Sequence, residues 1–326
     1  MSRLLKSSLV PVFVTAATAV FSSTAFGCAG CGCTLSSDWD SQGFAVKPGI
    51  RLDLRYDYLN QTQLRSGHNT VSPSSLLGTG QEIEKETKND YVTASLDYSP
   101  NQDWGVNVQL PYIDRYHQTY GEDPPALDSD SISTSHTKSM GDMRVVGRYQ
   151  GFAPNKDIGL QLGLKLPTGD FKKNFSSGPS EGTPLDRGLQ PGTGTTDLLA
   201  GIYHFSSINR DWDYFAQGMV QVALDSREQY RPGNALNVNF GIRYVANELF
   251  TPQLQINAKT SQRDTGANSD HPNSGGTLAY LSPGVTASIT HDLKAYGFVQ
   301  VPIYQYVNGN QLTPTWTGTL GMRYSF

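Results

Sequence analysis

From Gly49 onward the chain alternates apolar and polar residues with a period of two, the mark of an extended strand whose two faces meet different surroundings. Between Arg51 and Tyr58, residues Leu52, Leu54, Tyr56 and Tyr58 share one face, and Arg51, Asp53, Arg55 and Asp57 share the other. A soluble sandwich would bury the apolar face. A membrane barrel would turn it to lipid and leave the charges to a wet lumen. The alternation recurs at 92–98, 104–112, 142–149 and 158–166, then near 194–205, 212–224, 235–246, 252–263, 277–289, 294–306 and 315–326, about twelve strands. Two depart from the rule: Asp197 to Phe205 has apolar residues of both parities, and Ser282, Pro283 and Gly284 interrupt the tenth.

The connections fall into two classes. Short turns, such as Pro100-Asn-Gln-Asp103 and Ile208-Asn-Arg-Asp211, alternate with long polar stretches near 61–89, 118–139, 169–193, 225–234, 264–276 and 307–314. Outer-membrane barrels alternate short periplasmic turns with long extracellular loops in this way, and periplasmic ends make the strand number even. Aromatics gather where strands meet connections: Tyr98, Trp104, Trp212, Tyr214, Tyr244 and Tyr324 near the short turns, Tyr58, Tyr112 and Trp316 near the long loops. Such rings settle at the two membrane boundaries. The expectation is an all-β protein whose residues 49–326 form a transmembrane, up-and-down antiparallel β-barrel in the outer membrane of a Gram-negative bacterium.

Composition agrees with a barrel and excludes a helical bundle. Of 326 residues, 37% are hydrophobic, and the mean hydropathy is -0.41. No run beyond the N-terminus approaches the roughly 20 apolar residues that a spanning helix needs. Residues 1–27 read as a signal peptide: Arg3 and Lys6 precede an apolar stretch that ends in Ala25-Phe-Gly27. Loss of those two cations takes the formal charge from -4 to -6, which argues against a nucleic-acid partner. Segment 28–48 follows as a periplasmic stretch that carries Cys28, Cys31 and Cys33. An oxidising compartment allows one disulfide and a spare thiol; thiolate binding of a soft metal and acylation of Cys28 are the alternatives. Gly32 stands where covalent haem attachment would need a histidine one place beyond a C-x-x-C, so no cofactor is expected.

The polar parity assigns a set of side chains to the lumen. Its basic members are Arg51, Arg55, Arg144, Arg148, Lys165, Arg243, Lys259 and Arg323, against Asp53, Asp57, Asp97 and Asp142. Gln109, Gln161, Gln217, Gln221, Asn237, Asn239, Gln255, Asn257 and Gln300 add hydrogen-bonding groups. A basic excess predicts a channel for small anionic or aromatic solutes; the competing expectation is that these charges pair and plug the interior. A second class is a structural barrel whose Cys-rich segment docks a periplasmic partner, metal-bearing or redox-active. A third is a lipid hydrolase, but none of the six histidines stands in a Ser-His-Asn context, so the chain is not read as an enzyme. The expected partners are outer-membrane lipid, the solute and the assembly machinery.

Two likenesses sharpen this. The last strand, with Gly321, Tyr324 and Phe326, resembles the terminal signal of outer-membrane proteins, which implies recognition by their assembly machinery. Leu164-Lys-Leu-Pro-Thr-Gly-Asp-Phe171 and Gly192-Thr-Gly-Thr-Thr-Asp-Leu-Leu199 resemble the outer-membrane family associated with meta-pathway phenol degradation. That resemblance implies a transporter without naming a cargo, and the cysteine-rich start is no part of it. Pro167-Thr-Gly-Asp170 has its own physical reading as a strand stop, because proline lacks a ladder donor and glycine permits a sharp turn.

Overall fold

A computed structural model describes residues 48–247 and 249–326. The leader 1–27 and Cys28, Cys31 and Cys33 lie outside the described residues. Among those described, the strands are β1 (Gly49–Gly67), β2 (Asn69–Thr70), β3 (Glu82–Ser99), β4 (Trp104–Glu122), β5 (Ser133–Met140), β6 (Met143–Tyr149), β7 (Ile158–Leu166), β8 (Asp197–Ser207), β9 (Trp212–Ala223), β10 (Ala235–Tyr244), β11 (Phe250–Ser261), β12 (Gly276–Ser288) and β13 (Leu293–Ser325). Each ring strand pairs antiparallel with the next, and β1 pairs back to β13 from Arg51↔Ser325 upward, which closes a barrel. The last element makes two passes: residues 294–307 pair with β12, and residues 307–325 pair with β1. Eleven elements therefore close the ring, and β2 and β5 stand outside it. With β13 crossing twice, the wall is crossed about twelve times, as the alternation predicts.

The barrel is inside-out relative to a soluble protein. On β1, Leu54 is 54% exposed while its neighbour Arg55 is 7% exposed. Leu52, Leu96, Val106, Leu110, Leu160, Leu162, Val238, Ile256, Val301 and Leu320 continue the apolar belt around the outside. In water such a belt would be a severe aggregation hazard; in lipid it is the stable face. Ring pairs cap it at both ends. Trp104 lies 4.5 Å from Tyr149 and Trp212 5.2 Å from Tyr244 at the short turns, while Tyr58 lies 5.5 Å from Trp316 at the other rim.

The short turns share one local device. In three of them an asparagine carboxamide oxygen accepts two backbone N–H groups as the chain reverses: Asn101 from Asp103 and Trp104, Asn209 from Asp211 and Trp212, and Asn247 from Leu249 and Phe250. This is the local bonding for which turns favour asparagine.

Three of the expected long loops are shorter than the alternation implies. The stretch 61–89 is largely strand, since β1 runs to Gly67 and β3 starts at Glu82; 118–139 is shortened by β4 and β5; and 307–314 is absorbed into β13, which reverses at Gly309 with a φ of 55°. Above the membrane both faces of a strand meet polar surroundings, so the contrast vanishes while the backbone ladder continues. The two irregular strands also resolve. Leu199 and Tyr203 on β8 point inward and are buried, which is why that strand shows both parities. On β12 the ladder to β11 continues through Leu254↔Pro283.

Candidate functional site

All the polar-parity residues assigned to the lumen lie on the inner face, but they divide between a chamber and a floor. The chamber is a cavity of about 310 Å³ at mid-height, to which Arg55, Gln109, Asp142, Arg144, Lys165, Gln217, Gln221, Asn237, Asn239, Asn257, Lys259 and Gln300 contribute. Arg115, Asp264, Tyr91, Tyr280, Ile113, Val146, Leu199 and Met219 complete much of its wall. Five basic side chains thus face two acidic ones, beside apolar patches. A chain of amides helps to set its shape: Gln217 donates to Gln161 at 2.8 Å, Asn257 to Asn239 at 2.8 Å, and Ser282 to Asn257 at 2.6 Å.

Below the chamber the interior is packed. Asp97 is shared by two guanidinium groups, Arg51 Nε at 3.1 Å and Arg148 Nη1 at 2.8 Å. Tyr296 donates to Asp53 at 3.0 Å, Thr319 to Asp57 at 2.6 Å, and Arg55 Nε lies 2.8 Å from Asp57. Arg243 holds Asp213 through two parallel bonds of 2.7 and 2.8 Å. Arg323, Gln161 and Gln255 are also buried in the lower barrel. Paired charges therefore fill the floor, so the basic excess found by parity is not a ring of open cations.

Aromatic rings complete this layer in a specific way. The rings of Tyr203, Phe215, Phe298 and Tyr296 lie against Gly159, Gly241, Gly284 and Gly321 on adjacent strand segments. A methyl group on Gly241 would sit 2.4 Å from the Phe215 ring, and one on Gly284 would sit 2.1 Å from Phe298. Each glycine leaves a recess that a ring fills, so large side chains lie flush with the wall. Gly321 thereby has a packing role in addition to its place in the terminal pattern. Tyr324 and Phe326 stand exposed on the outside with ring centroids 4.8 Å apart.

Above the chamber lies a lid made by the connections 167–196, 224–234 and 262–275. Arg115 points up from β4 to the carbonyls of Gly188 and Gln190 at 3.5 and 3.4 Å. The Arg187 guanidinium is 4.8 Å from both the Phe171 and Tyr230 rings. Tyr230 donates to Asp264 at 2.9 Å, which ties the second connection to the third. A smaller cavity of about 60 Å³ in this lid is lined by Glu82, Glu84, Asp186, Asp264 and Asp270. Burial pushes the Glu84 carboxyl up to about 8, aided by nearby Asp186 and Asp270 and opposed by the Leu312 N–H; burial likewise raises Glu82.

The profile of the family described as "Putative MetA-pathway of phenol degradation" matches residues 59–311. The chain belongs to that family. The match runs from β1 into β13, so this phenol-degradation family covers nearly all of the barrel and its lid. Among solved structures, the COG4313 outer membrane channel from Pseudomonas putida F1 aligns at 10% identity and a TM-score of 0.64, over 86% of this chain and 96% of that chain. The Pseudomonas putida toluene transporter TodX aligns at 11% identity and a TM-score of 0.42, over 93% of this chain and 96% of that one. No curated protein matches the chain. The apolar belt and the barrel fold place this family member in the Gram-negative outer membrane.

Parity reasoning missed the inward apolar residues and Arg115. The first group reads as lipid-facing when apolar is equated with outside. Arg115 keeps the inner parity of Asn107 and Gln109 but lies beyond the stretch 104–112, where only an extended strand reveals it.

Proposed function

We propose that this protein is an outer-membrane channel that passes small aromatic anions through its mid-barrel chamber. The observation that carries the reading is the chamber itself, enclosed in a lipid-facing barrel and lined by five cationic side chains beside Tyr91, Tyr280, Ile113, Val146, Leu199 and Met219. An anionic group is favoured near the cations, and an aromatic ring near the apolar patches. The family's description by phenol degradation is compatible with an aromatic cargo, and the aligned COG4313 structure is that of an outer membrane channel. Passage requires the floor side chains to part, and among the described residues these are held to one another by side-chain bonds.

Reconstitution in planar bilayers under a salt gradient tests this. The expected result is an anion-selective current that benzoate blocks, with the block weakened by Arg144→Gln together with Lys259→Gln. A cation-selective current, or none from correctly folded protein, overturns it. The packed floor favours a second reading, a non-conducting barrel that serves as a scaffold for a periplasmic partner, and the absence of current would point there. Hydrolysis has less support. Among the described residues the histidine rings pair with Thr87, Asp114, Tyr214 and Asp292 side chains or with the carbonyls of Gln305 and Asp264, and none of these partners is a serine.

A further inference from the structure

The two sequence motifs at 164–171 and 192–199 flank the longest connection in the lid, and the structure brings both to one carboxylate. Asp142 lies where the strand down from the lid is broken, between the end of β5 at Met140 and the start of β6 at Met143. Its Oδ1 accepts the Gly169 N–H at 3.0 Å, and its Oδ2 accepts the Thr193 N–H and hydroxyl, both at 2.9 Å. The Lys165 ammonium stands 3.0 Å from the same Oδ2 and 3.1 Å from Asp197, so it bridges the strand leaving for the lid and the strand returning from it. Thr195 donates to Asp197 at 2.9 Å and Thr193 lies 2.9 Å from Thr195, which completes the knot.

Backbone geometry closes the same point. A methyl group on Gly169 would fall 2.7 Å from the Gly192 Cα, and one on Gly192 would fall 2.5 Å from the Gly169 carbonyl oxygen. The outgoing and returning chains therefore touch, and only glycine allows that approach. Thr168 mends the broken strand: its hydroxyl donates to the Gly141 carbonyl at 3.0 Å and accepts the Met143 N–H at 2.8 Å.

We infer that Asp142 is the positioning residue of a hinge, holding connection 167–196 down as the lid of the solute chamber. Asp142, Lys165 and Thr193 all line that chamber, so the hinge forms part of its wall. Away from the base the connection is held at scattered points: a backbone bridge of Ser177 to Thr134 on β5, the Ser180 N–H on the Ser133 hydroxyl, Arg115, and the contacts around Arg187. The base, in contrast, concentrates four donors on one carboxylate. Asparagine in its place keeps one acceptor oxygen and turns an N–H group on the donors at the other position, so either the Gly169 or the Thr193 bonds are lost and the Lys165 charge is left with Asp197 alone, which favours the raised lid.

The inference rests on the channel reading, and the experiment separates the two. Asp142→Asn is purified, checked for barrel assembly by its heat-dependent electrophoretic mobility, and recorded beside the wild type and a variant that lacks residues 172–188. Expected are a time-averaged conductance on the order of tenfold above wild type and new tryptic cleavage after Arg187, whose side chain is 9% exposed in the closed lid. Wild-type conductance with Arg187 still protected overturns the hinge while the loop-deleted barrel conducts. Silence of all three barrels refutes the channel instead. If Asp142→Asn does not assemble, Thr193→Val removes the hydroxyl's bonds to Asp142, Thr195 and Lys165 while the carboxylate stays, and carries the test with the same two readouts.

Discussion

At the scale of single residues, the fit of rings onto glycines is the most exposed claim. Gly241→Val places a branched side chain where the Phe215 ring lies, so the ring must move into a packed floor. Urea unfolding in lipid vesicles should show a loss of about 1–3 kcal/mol, and adding Phe215→Ala should restore part of it. Additive losses would show that the ring and the glycine are independent. The inner position of Arg51, Asp53, Arg55 and Asp57 was legible because their parity opposes Leu52 and Leu54. Their pairing was not. Tyr296 and Asp53 are 243 residues apart, and no local pattern reports that they meet.

At the scale of elements, turns were the most readable and the lid the least. Asn101, Asn209 and Asn247 stand where their bonds are made to the next two or three residues, so sequence and structure carry the same information. The lid instead depends on contacts among connections and strands that have no common period. Glu82 and Glu84 fall within the polar stretch 61–89, which the sequence marks only as a connection, yet they face Asp186 and Asp270 in a small cavity. Glu84 ionises at about 8 in the folded lid, above its ordinary 4.5. The closed lid therefore holds a proton that the open form releases; the resulting stability is fully present below pH 4.5 and is lost as pH rises through about 8. Hydrogen exchange of residues 262–275 should accelerate between pH 6 and pH 9, after correction for intrinsic rates, and Glu84→Gln should flatten that dependence. A correction-free match between the two proteins across this range would refute it.

At the scale of the whole molecule, architecture was legible from residues 49–326 because one rule repeats around the wall, while the lid and floor had to be seen. The rule has a direct energetic consequence. Leu54→Arg sets a cation in the lipid-facing belt, midway between Ile50 and Tyr58, and should cost ~2–4 kcal/mol in vesicle unfolding. Thr93→Ser on the inner face should leave the same transition nearly unmoved. The recesses beneath the floor rings reach further than stability. A ring and its recess are supplied by different strand segments, so a change at one alone either jams the base or leaves a hole. Any redesign that widens or narrows the lower end must alter such partners together, and the width of this barrel is thus adjustable only in paired steps.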